Sequence, residues 1–418
     1  MNKNVLIITQ YNTREISGTI VTIENIFKSI PEYHIMHLSL VFHDAEENND
    51  DSILFLDQEE SRLNYAVWKR RWGKNKNTKK SVSEDLKKSS AIRKHIKEFS
   101  VGILDCERIR LKKDKLDRIR SFDPGFIYTV GGNIRILRLT HKIAKMLKKP
   151  VIIHFMDNWV ETAYSTSFLF PFRLILNTCC RNVIRHTCVN FGISEPLSAM
   201  LSKKYHKEFL ALMNPICDIK DPADIVEEQK KNLIFIYGGA LTLNRWKGLY
   251  DIAKTIKENN PNNVFEIYAP GDQITDEIQT LFHGIETVIM PYLPYREIIE
   301  KYDQADVLVL SCPSGKINSR FAGYSLSTKI PEYMSRGKPI LAYTEDEQYV
   351  LQYIEKNNAG IVIRDKNKLN DAINKLYDSK TRQMLARNGL ECALSNHSFH
   401  SARKKFMYAI HMLEVENG

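Results

Sequence analysis

The chain has 418 residues, of which 43% are hydrophobic and 26% charged, and its formal net charge at pH 7 is +10. This length exceeds what one hydrophobic core usually holds, so we expect two domains, and the composition is that of a globular protein. No run of about eighteen apolar residues occurs, and the first apolar run is too short for a signal peptide, so we expect a cytosolic protein. The seven cysteines have no C-x-x-C spacing, so neither a disulfide framework nor a zinc site is predicted.

The first half of the sequence alternates between apolar β-branched runs and amphipathic helical patterns. Strands are predicted at residues 5–11, 126–130, 150–156 and 188–194, and helices at 20–30, 117–122, 134–147, 167–185 and 195–205. Strictly alternating strands and helices are typical of a parallel sheet with crossover helices on its faces.

A charged insertion at about 43–100 interrupts this alternation. Residues 43–60 contain eight acidic side chains and no Lys or Arg, whereas residues 62–100 contain thirteen Lys or Arg and three acids. Trp68 and Trp72 lie among the cations of the second segment. This mixture suits the surface of an anionic membrane, where each Lys or Arg contributes about 1 kcal/mol. The alternative is a solvated insertion whose aromatic side chains pack locally, and no nucleic acid partner is expected.

The second half begins with a polar segment, residues 218–231, and then the alternation restarts. Strands are predicted at 233–240, 263–269, 286–292, 306–312, 339–344 and 360–363, with helices between and after them. The pattern predicts an α/β protein of two Rossmann-like domains facing across a cleft. The predicted boundaries are 1–215 for an N-terminal domain, 216–231 for the linker, 232–395 for a C-terminal domain, and 396–418 for a last helix.

Four loops of the second half follow predicted strands, where ligands of open α/β sheets bind. Two glycines, Gly238 and Gly239, allow close approach of backbone to a ligand, and cations follow them before the next helix. The segment SLSTKIPEYM opens a helix with hydroxyls and a lysine, which suits a phosphate, and Gly337 ends that helix. Together these loops predict a site for a nucleotide diphosphate. The candidate residues for binding it are Gly239, Arg245, Lys247, Tyr292, Leu293, Ser327, Thr328, Lys329 and Glu332.

These motifs resemble the donor domain of GT-B glycosyltransferases. The resemblance rests on the Gly-rich loop ending in Lys-Gly, on ADVLVLSCPS, and on STKIPEYMSRGKPILA, and it is nearest to the large retaining family that includes capsule and O-antigen transferases. In the first half, FDPGFIYTVGGN, KKPVIIHFMDNW and ISEPLSAML follow the order that the family uses. The resemblance covers nearly the whole chain except the insertion.

The resemblance also implies roles for individual residues. Lys247 matches the lysine that holds the donor diphosphate, Glu332 the glutamate that binds the ribose hydroxyls, and Lys329 belongs to a loop whose amides meet the phosphates. Asp157 falls where the family keeps an acceptor-side His or Asp. The candidates on the acceptor side are the catalytic pair Asp157 and His154 and the loop residues Ser17, Gly18, Gly132 and Asn133.

The sequence departs from the family pattern at three places. Tyr324 stands where many members have a second glutamate, Ala240 replaces an arginine for which Arg245 could substitute, and Ser17 with Gly18 replaces a Gly-Gly pair. Each candidate also has a structural alternative: Asp157 as a helix N-cap, His154 as a core histidine, Glu332 as a first-turn acid and Lys247 as a surface lysine.

The resemblance implies transfer of a sugar from a nucleotide-diphosphate sugar to a growing lipid-linked surface glycan, with retention of configuration. Departure of the nucleotide diphosphate develops about two negative charges, which positioned cations stabilise. Because no Asp-x-Asp clamp occurs, we expect Lys247 and Arg245 to act without a metal, and no cofactor is expected. The expected partners are the donor, the glycan acceptor and an anionic membrane touched peripherally. A nucleotide-sugar epimerase of the same fold and a basic scaffold without activity remain alternatives.

Overall fold

The computed structural model describes residues 2–11, 17–42, 51–77, 91–226, 228–315 and 323–417. The chain divides into two compact units. The first contains Met1–Val21, Ile30–Leu212 and Lys405–Gly418, and the second contains Thr22–Ser29 and Met213–Lys404. Each unit is built around one parallel sheet.

The first unit has a seven-stranded sheet of order β3-β2-β1-β4-β5-β6-β7, in which every pair of neighbours is parallel. Its strands are β1 (Asn4–Thr9), β2 (His34–Phe42), β3 (Ile53–Leu56), β4 (Phe126–Thr129), β5 (Val151–Phe155), β6 (Val189–Gly192) and β7 (Glu208–Ala211). The helices of this part of the chain are α1 (Gly18–Lys28), α2 (Arg62–Asn77), α3 (Ala91–Asp105), α4 (Lys113–Phe122), α5 (Ile134–Leu147), α6 (Trp159–Thr162), α7 (Phe170–Ile184) and α8 (Glu195–Tyr205).

The second unit has a six-stranded parallel sheet of order β10-β9-β8-β11-β12-β13. Its strands are β8 (Ile234–Gly238), β9 (Val264–Ala269), β10 (Val288–Pro291), β11 (Val307–Ser311), β12 (Ile340–Tyr343) and β13 (Gly360–Ile363). The helices that follow are α9 (Arg245–Asn259), α10 (Asp276–His283), α11 (Tyr295–Gln304), α12 (Lys329–Ser335), α13 (Tyr349–Lys356), α14 (Leu369–Leu376), α15 (Ser379–Cys392) and α16 (Phe399–Asn417).

Both sheets follow from the sequence in the same way. The central strands are buried along their whole length, and short apolar runs such as VLVLS in β11 have no polar face because helices cover both sides of a doubly wound sheet. In each sheet the strand order reverses beside the first strand, between β1 and β4 and between β8 and β11. The predicted α/β class with two Rossmann-like domains is thereby confirmed.

The structure corrects the sequence analysis in the region of the charged insertion. Residues Ile53–Leu56 form the edge strand β3 and pair with β2, so the predicted insertion at about 43–100 is not wholly outside the sheet. The pattern did not identify β2, β3 or β7, because β3 and β7 have only four residues each and β3 lies in an acidic stretch. Trp68 on α2 packs against Phe42 and Tyr65, with ring centroids 5.8 and 5.5 Å away.

The last helix, α16, contributes its C-terminal part to the first unit. Phe406 is fully buried and packs against Phe126, Tyr128 and Phe191, at centroid distances of 5.6 to 6.2 Å. Among the described residues, no helix is both long and apolar enough to span a bilayer.

Candidate functional site

The candidate donor site lies where the second sheet reverses its strand order, at the carboxyl ends of β8 and β11. In a doubly wound sheet the loops after these two strands leave toward opposite faces, and the gap between them is where ligands bind. The first residues of α9 and the start of α12 supply the polar side chains here, and Gly238 and Gly239 form the backbone at the end of β8.

Two consecutive glycines end β8 because no other residue would fit. A Cβ atom on Gly238 would lie 2.2 Å from the Tyr302 hydroxyl oxygen. A Cβ atom on Gly239 would lie 2.0 Å from the Lys329 ammonium nitrogen, and its φ of +146° is disfavoured for other residues. The backbone therefore passes between a buried tyrosine on one side and a lysine on the other.

Lys329 is the first residue of α12, and its side chain returns toward β8. Its Nζ lies 3.9 Å from the centroid of the Tyr237 ring, a cation–π contact, and beside Gly239. The Tyr237 hydroxyl donates a 2.6 Å hydrogen bond to the Ala240 carbonyl, which fixes the ring below the ammonium group. Burial, and secondly the charge of Arg245, lower the pKa of Lys329 well below its usual value, although Glu332 opposes the shift. This ammonium group would gain strongly from an anionic partner.

Arg245 begins α9 after two residues, Leu243 and Asn244, with positive φ of 59° and 63°. This turn brings its guanidinium close enough to Lys329 to depress the lysine pKa. The chain is held at this point because the Ser311 hydroxyl at the end of β11 donates a 2.7 Å hydrogen bond to the Arg245 carbonyl. The charge of Arg245 thus acts on Lys329, which lies beside Gly239.

Lys247 lies two residues further along α9 and is exposed. Its Nζ is 5.7 Å from the centroid of the neighbouring Trp246 ring. The charges that shift the pKa of Lys329 include Arg245 but not Lys247. Of these two cations on α9, Arg245 is therefore the one whose charge acts on the pKa of Lys329.

Glu332 lies one turn into α12, on the same helix face as Lys329. Burial raises its pKa to about 7, and Lys329 partly offsets the effect. The carboxylate is near the rings of Tyr292 and Tyr295, since after burial it is the next cause of the raised pKa of both phenols. A half-protonated carboxyl group beside phenols can accept and donate hydrogen bonds to hydroxyl groups.

We expect Glu332→Gln to change how stability depends on pH. Because the pKa of Glu332 is raised to about 7 in the folded protein, the folded state holds the proton more tightly than the unfolded chain, so stability is lost as pH rises from about 4.5 to 7. The glutamine variant cannot ionise. Between about pH 5 and pH 8 it should lose about 2 kcal/mol less of its free energy of unfolding than the wild type, measured by urea denaturation.

The control for this measurement is Glu297→Gln, which changes an exposed carboxylate in the first turn of α11. This variant should follow the wild type at both pH values. If Glu332→Gln and the wild type lose stability in parallel, burial does not raise the pKa of Glu332 in the folded protein.

The remaining donor-side candidates lie at the start of α12 and after β10. Ser327 precedes α12, where its carbonyl accepts a 3.0 Å hydrogen bond from the Ile330 N–H. Thr328 is the N-cap residue and makes no capping hydrogen bond through its side chain. Tyr292 and Tyr324 are 37% and 40% exposed, so both phenols are accessible, and Leu293 is partly buried. Gly337 has a φ of +62° directly after α12, which confirms that it ends this helix.

In the first unit, His154 and Asp157 occupy different environments. His154 is fully buried in β5, with its Nδ1 atom 2.7 Å from the Tyr128 hydroxyl, and burial lowers its pKa to about 3. These surroundings favour the alternative of a core histidine, and the catalytic role of His154 stays a prediction. Asp157 follows β5 in a partly exposed bend, and the N-cap of the next helix is Asn158.

The other acceptor-side candidates lie at two helix starts of the first unit. Gly132, with a φ of +105°, precedes Asn133, whose side chain caps α5 by accepting a 3.0 Å hydrogen bond from the Ile136 N–H. The Asn133 amide also donates a short hydrogen bond to Gln10, the residue after β1, so both lie where this sheet reverses its strand order. Ser17 accepts a hydrogen bond of 3.3 Å from the Ile20 N–H through its hydroxyl, and Gly18 begins α1.

The sequence analysis missed several tyrosines of the donor site. Tyr237 supports Lys329, Tyr302 fills the space behind Gly238, and Tyr295 flanks Glu332. An aromatic residue directly before a Gly-Gly pair was the one available signal, because Tyr237 ends an apolar strand whose other residues are aliphatic or Phe. Among the described residues, no group of three or more His, Cys, Asp or Glu side chains is arranged to hold a metal ion.

A comparison with known protein families finds a match in the same part of the chain that contains the candidate donor site. Residues 218–391, from the polar segment before β8 through most of α15, match the family model "Glycosyl transferases group 1". This match confirms, for the second half, the resemblance to glycosyltransferases. No curated protein matches the sequence significantly.

Solved structures resemble the chain over nearly its whole length at low sequence identity. HepE from Anabaena, solved in complex with UDP, superposes with a TM-score of 0.63 and 12% identity and covers 98% of this chain and 100% of its own. The pneumococcal O-GlcNAc transferase GtfA, solved with UDP and GlcNAc, superposes with a TM-score of 0.62 and 8% identity and covers 98% of this chain and 99% of its own. WaaG, a glycosyltransferase involved in lipopolysaccharide biosynthesis, superposes with a TM-score of 0.53 and 12% identity and covers 96% of this chain and 98% of its own. These likenesses support the GT-B fold.

Proposed function

We propose that this protein transfers a glycosyl group from a nucleoside-diphosphate sugar to a sugar acceptor. The observation that carries the proposal is the position of Lys329 beside Gly239, at the strand reversal of the second sheet, where the charge of Arg245 also acts on it. A glycine at this point lets the backbone approach a ligand closely, and the two cations match the charge of a diphosphate. The family match of residues 218–391 supports the same reaction class.

The two cations would act mainly on the leaving group. As the bond between sugar and diphosphate breaks, negative charge grows on the diphosphate oxygens, so Lys329 and Arg245 stabilise the transition state more than the ground state. Burial lowers the pKa of Lys329, and a bound diphosphate would raise that pKa and so favour the ammonium form. With two fixed cations in place, we propose that transfer needs no metal ion. Lys247, exposed on α9, would assist from the edge of the site.

The remaining donor residues would fix the nucleoside and the phosphates. Glu332 would accept hydrogen bonds from the ribose hydroxyls, as the resemblance implies, and the backbone near Tyr292 and Leu293 would contact the base. Ser327 and Thr328 would meet the phosphates through their amides and hydroxyls. Tyr324, 40% exposed, would contact the donor sugar where the family often has a glutamate.

The first unit would bind the acceptor. Asp157 is the candidate base or acceptor ligand, because it is partly exposed after β5 while His154 is enclosed. Gly132, Asn133, Ser17 and Gly18 line the loops after β4 and before α1, at the carboxyl ends of their strands, and would contact the acceptor sugar.

The finer features of the reaction come from resemblance. We propose retention of anomeric configuration and a lipid-linked acceptor in the synthesis of a bacterial surface polysaccharide. The second point is supported by the fold shared with WaaG, which is involved in lipopolysaccharide biosynthesis. Fold similarity alone is a weak guide to substrates, so the assay below uses several donors.

The test is a panel of UDP-, GDP- and dTDP-sugars incubated with the full chain in EDTA, with analysis of both nucleotide and sugar products. We expect one nucleoside diphosphate, added alone at about 100 times its Kd, to stabilise the protein by about 2.7 kcal/mol, seen as a rise in Tm. With the matching sugar donor and no added acceptor, we expect slow release of the same nucleoside diphosphate as the sugar is transferred to water. An epimerase would convert the sugar and keep it on the nucleotide. A scaffold would show no rise in Tm with any of them. Either outcome would overturn the proposal.

A further inference from the structure

Arg135, in the first unit, has a largely buried guanidinium group that lacks hydrogen bonds at two of its nitrogens. Its Nε and Nη1 atoms are inaccessible to solvent, and neither has a hydrogen-bond partner among the described residues. Burial lowers the pKa of Arg135, while the charges of Asp105, Glu107 and Tyr164 act in the opposite direction. A buried donor without a partner costs free energy, so such a group in a folded protein calls for a reason other than folding.

The carboxylates near Arg135 are committed to other donors. Asp105 accepts hydrogen bonds through Oδ2 from the Ile134 N–H, at 3.0 Å, and from the Tyr164 hydroxyl, at 2.6 Å. The Glu107 carboxylate accepts four hydrogen bonds of 2.6 to 3.1 Å from a hydroxyl, a side-chain amide and two backbone N–H groups around the start of α2. The two acids therefore favour the charged form of Arg135, but their hydrogen bonds are made with other groups.

Arg135 lies at the edge of the first sheet where a ligand is expected. It is the second residue of α5, which follows β4, and the sheet reverses its strand order between β1 and β4. The loop between β4 and α5 contains Gly131 and Gly132, with φ of +64° and +105°. Ligands of open parallel sheets bind outside the carboxyl ends of the strands at such a reversal, and a helix N-terminus there favours negative charge.

Two further buried polar atoms at this edge have no partner in the described part of the chain. They are the indole Nε1 of Trp159 and the side-chain oxygen of Asn158, in residues that are 8% and 3% exposed. Both residues follow β5, the strand beside β4, and a Cβ atom on Gly131 would lie 2.7 Å from the Trp159 ring. The indole therefore packs against the loop that leads into α5. The loops after β4 and β5 thus hold unused hydrogen-bonding groups.

We propose that Arg135 binds an oxyanion, the carboxylate or phosphate group of a charged sugar acceptor. A desolvated guanidinium group gains more from an oxyanion than from a neutral hydroxyl, because an oxyanion supplies opposite charge and hydrogen-bond acceptors together. The Trp159 indole and the Asn158 amide are left for hydroxyl groups of the same sugar. Assigning the oxyanion to the acceptor rests on the proposed glycosyl transfer, whereas the binding of an oxyanion by Arg135 does not.

The competing explanation is that Arg135 only neutralises Asp105 and Glu107 within the fold. Arg135→Met keeps the length of the side chain and removes its charge. If Arg135 serves a ligand, this variant should have a Tm in buffer alone equal to or above that of the wild type, because an incompletely bonded buried charge is gone. The matched control is Arg138→Met on the same helix, which loses the 2.6 Å hydrogen bond from Nη1 to the Cys106 carbonyl and should have a lower Tm. Equal losses of Tm in the two variants would contradict the proposal.

The binding experiment is saturation-transfer difference NMR of the full chain with sodium glucuronate, glucose 6-phosphate or glucose. We expect a saturable signal from a charged sugar, and the preferred one identifies a carboxylate or a phosphate. Its Kd should be at least about tenfold lower than that of glucose, and should rise at least about tenfold in Arg135→Met, the loss expected when a charge-assisted hydrogen bond is removed. Arg138→Met should bind as the wild type does, and Arg135→Lys, which keeps the charge but not the planar fork, should be intermediate.

Lys329→Ala tests whether the charged sugar binds at the donor site instead. Arg135 and Lys329 belong to different units, so this variant should bind the charged sugar with the affinity of the wild type. Loss of binding in Lys329→Ala but not in Arg135→Met would overturn the proposal, as would equal binding of glucose and the charged sugars, or no saturable binding of either charged sugar. A protein that binds a charged sugar through Arg135 but no nucleoside diphosphate would refute the glycosyl transfer and uphold the oxyanion site.

Discussion

Replacing Lys329 with alanine is expected to lower kcat/KM for the nucleotide sugar by about 10² to 10³-fold, the usual loss when one fixed donor to a developing negative charge is removed. The reason is its position, 3.9 Å from the centre of the Tyr237 ring and beside Gly239, where the diphosphate is proposed to lie. Removing a desolvated ammonium group should not unfold the protein, since its burial is a cost that the folded state bears. Steady-state kinetics with the donor found by the panel measures the loss.

The matched control is Lys247→Ala, which removes a lysine of the same type that is exposed on α9. Its effect on kcat/KM should be about tenfold or less, because an exposed charge is screened by solvent. If the two variants lose activity equally, Lys247 holds the diphosphate as the family resemblance implies, and Lys329 does not stabilise the leaving group more than Lys247 does.

Gly239→Ala is expected to damage both stability and activity. The added Cβ atom would lie 2.0 Å from the Lys329 nitrogen, and a φ of +146° is strained for alanine. We expect a loss of about 1 to 3 kcal/mol in the free energy of unfolding. We also expect at least a tenfold lower affinity for the nucleoside diphosphate, because the lysine must move away. Urea denaturation and calorimetric titration measure the two effects separately.

The control for this substitution is Gly271→Ala, since a Cβ atom there would meet no atom within 4 Å. This variant should match the wild type in stability and in affinity. Should Gly239→Ala bind the nucleoside diphosphate with unchanged affinity, the close approach of backbone, lysine and ligand at the end of β8 would be contradicted.

Much of the fold could be predicted from the sequence because parallel strands in doubly wound sheets are continuous apolar runs. VLIIT, VIIHF and VLVLS were each recognisable, and each forms a buried central strand. The short edge strands escaped prediction because ILFL in β3 and EFLA in β7 are four residues long and lie among charged residues. Periodicity over so few residues does not separate a strand from a loop.

The donor site was predictable as a set of loops but not as a set of contacts. The hydroxyl-rich start of α12 and the Gly-Gly pair after β8 identified the region, because loops after parallel strands gather at one edge of the sheet. The spacing did not reveal that the Lys329 side chain returns to Gly239, or that the charge of Arg245, which follows two positive-φ residues, acts on it. Side-chain direction after such a turn cannot be read from spacing alone.

The surroundings of individual side chains such as His154 and Trp68 could not be predicted from the sequence either. His154 in an apolar strand was compatible with a catalytic or a core histidine, and its contact with Tyr128 and its complete burial favour the core. Trp68 among cations suggested a membrane anchor, yet its neighbours in space are Phe42 and Tyr65. Residues such as Trp68 and Phe42, on separate elements, meet only after the sheet has formed.

The most direct test is calorimetric titration of the full chain with UDP, GDP and dTDP in the presence of EDTA. We expect one of the three to bind the wild type saturably at one site, and to bind Lys329→Ala and Arg245→Ala with at least tenfold lower affinity. If no nucleoside diphosphate binds without a divalent ion, or if both variants bind as tightly as the wild type, Lys329 and Arg245 do not form the diphosphate site.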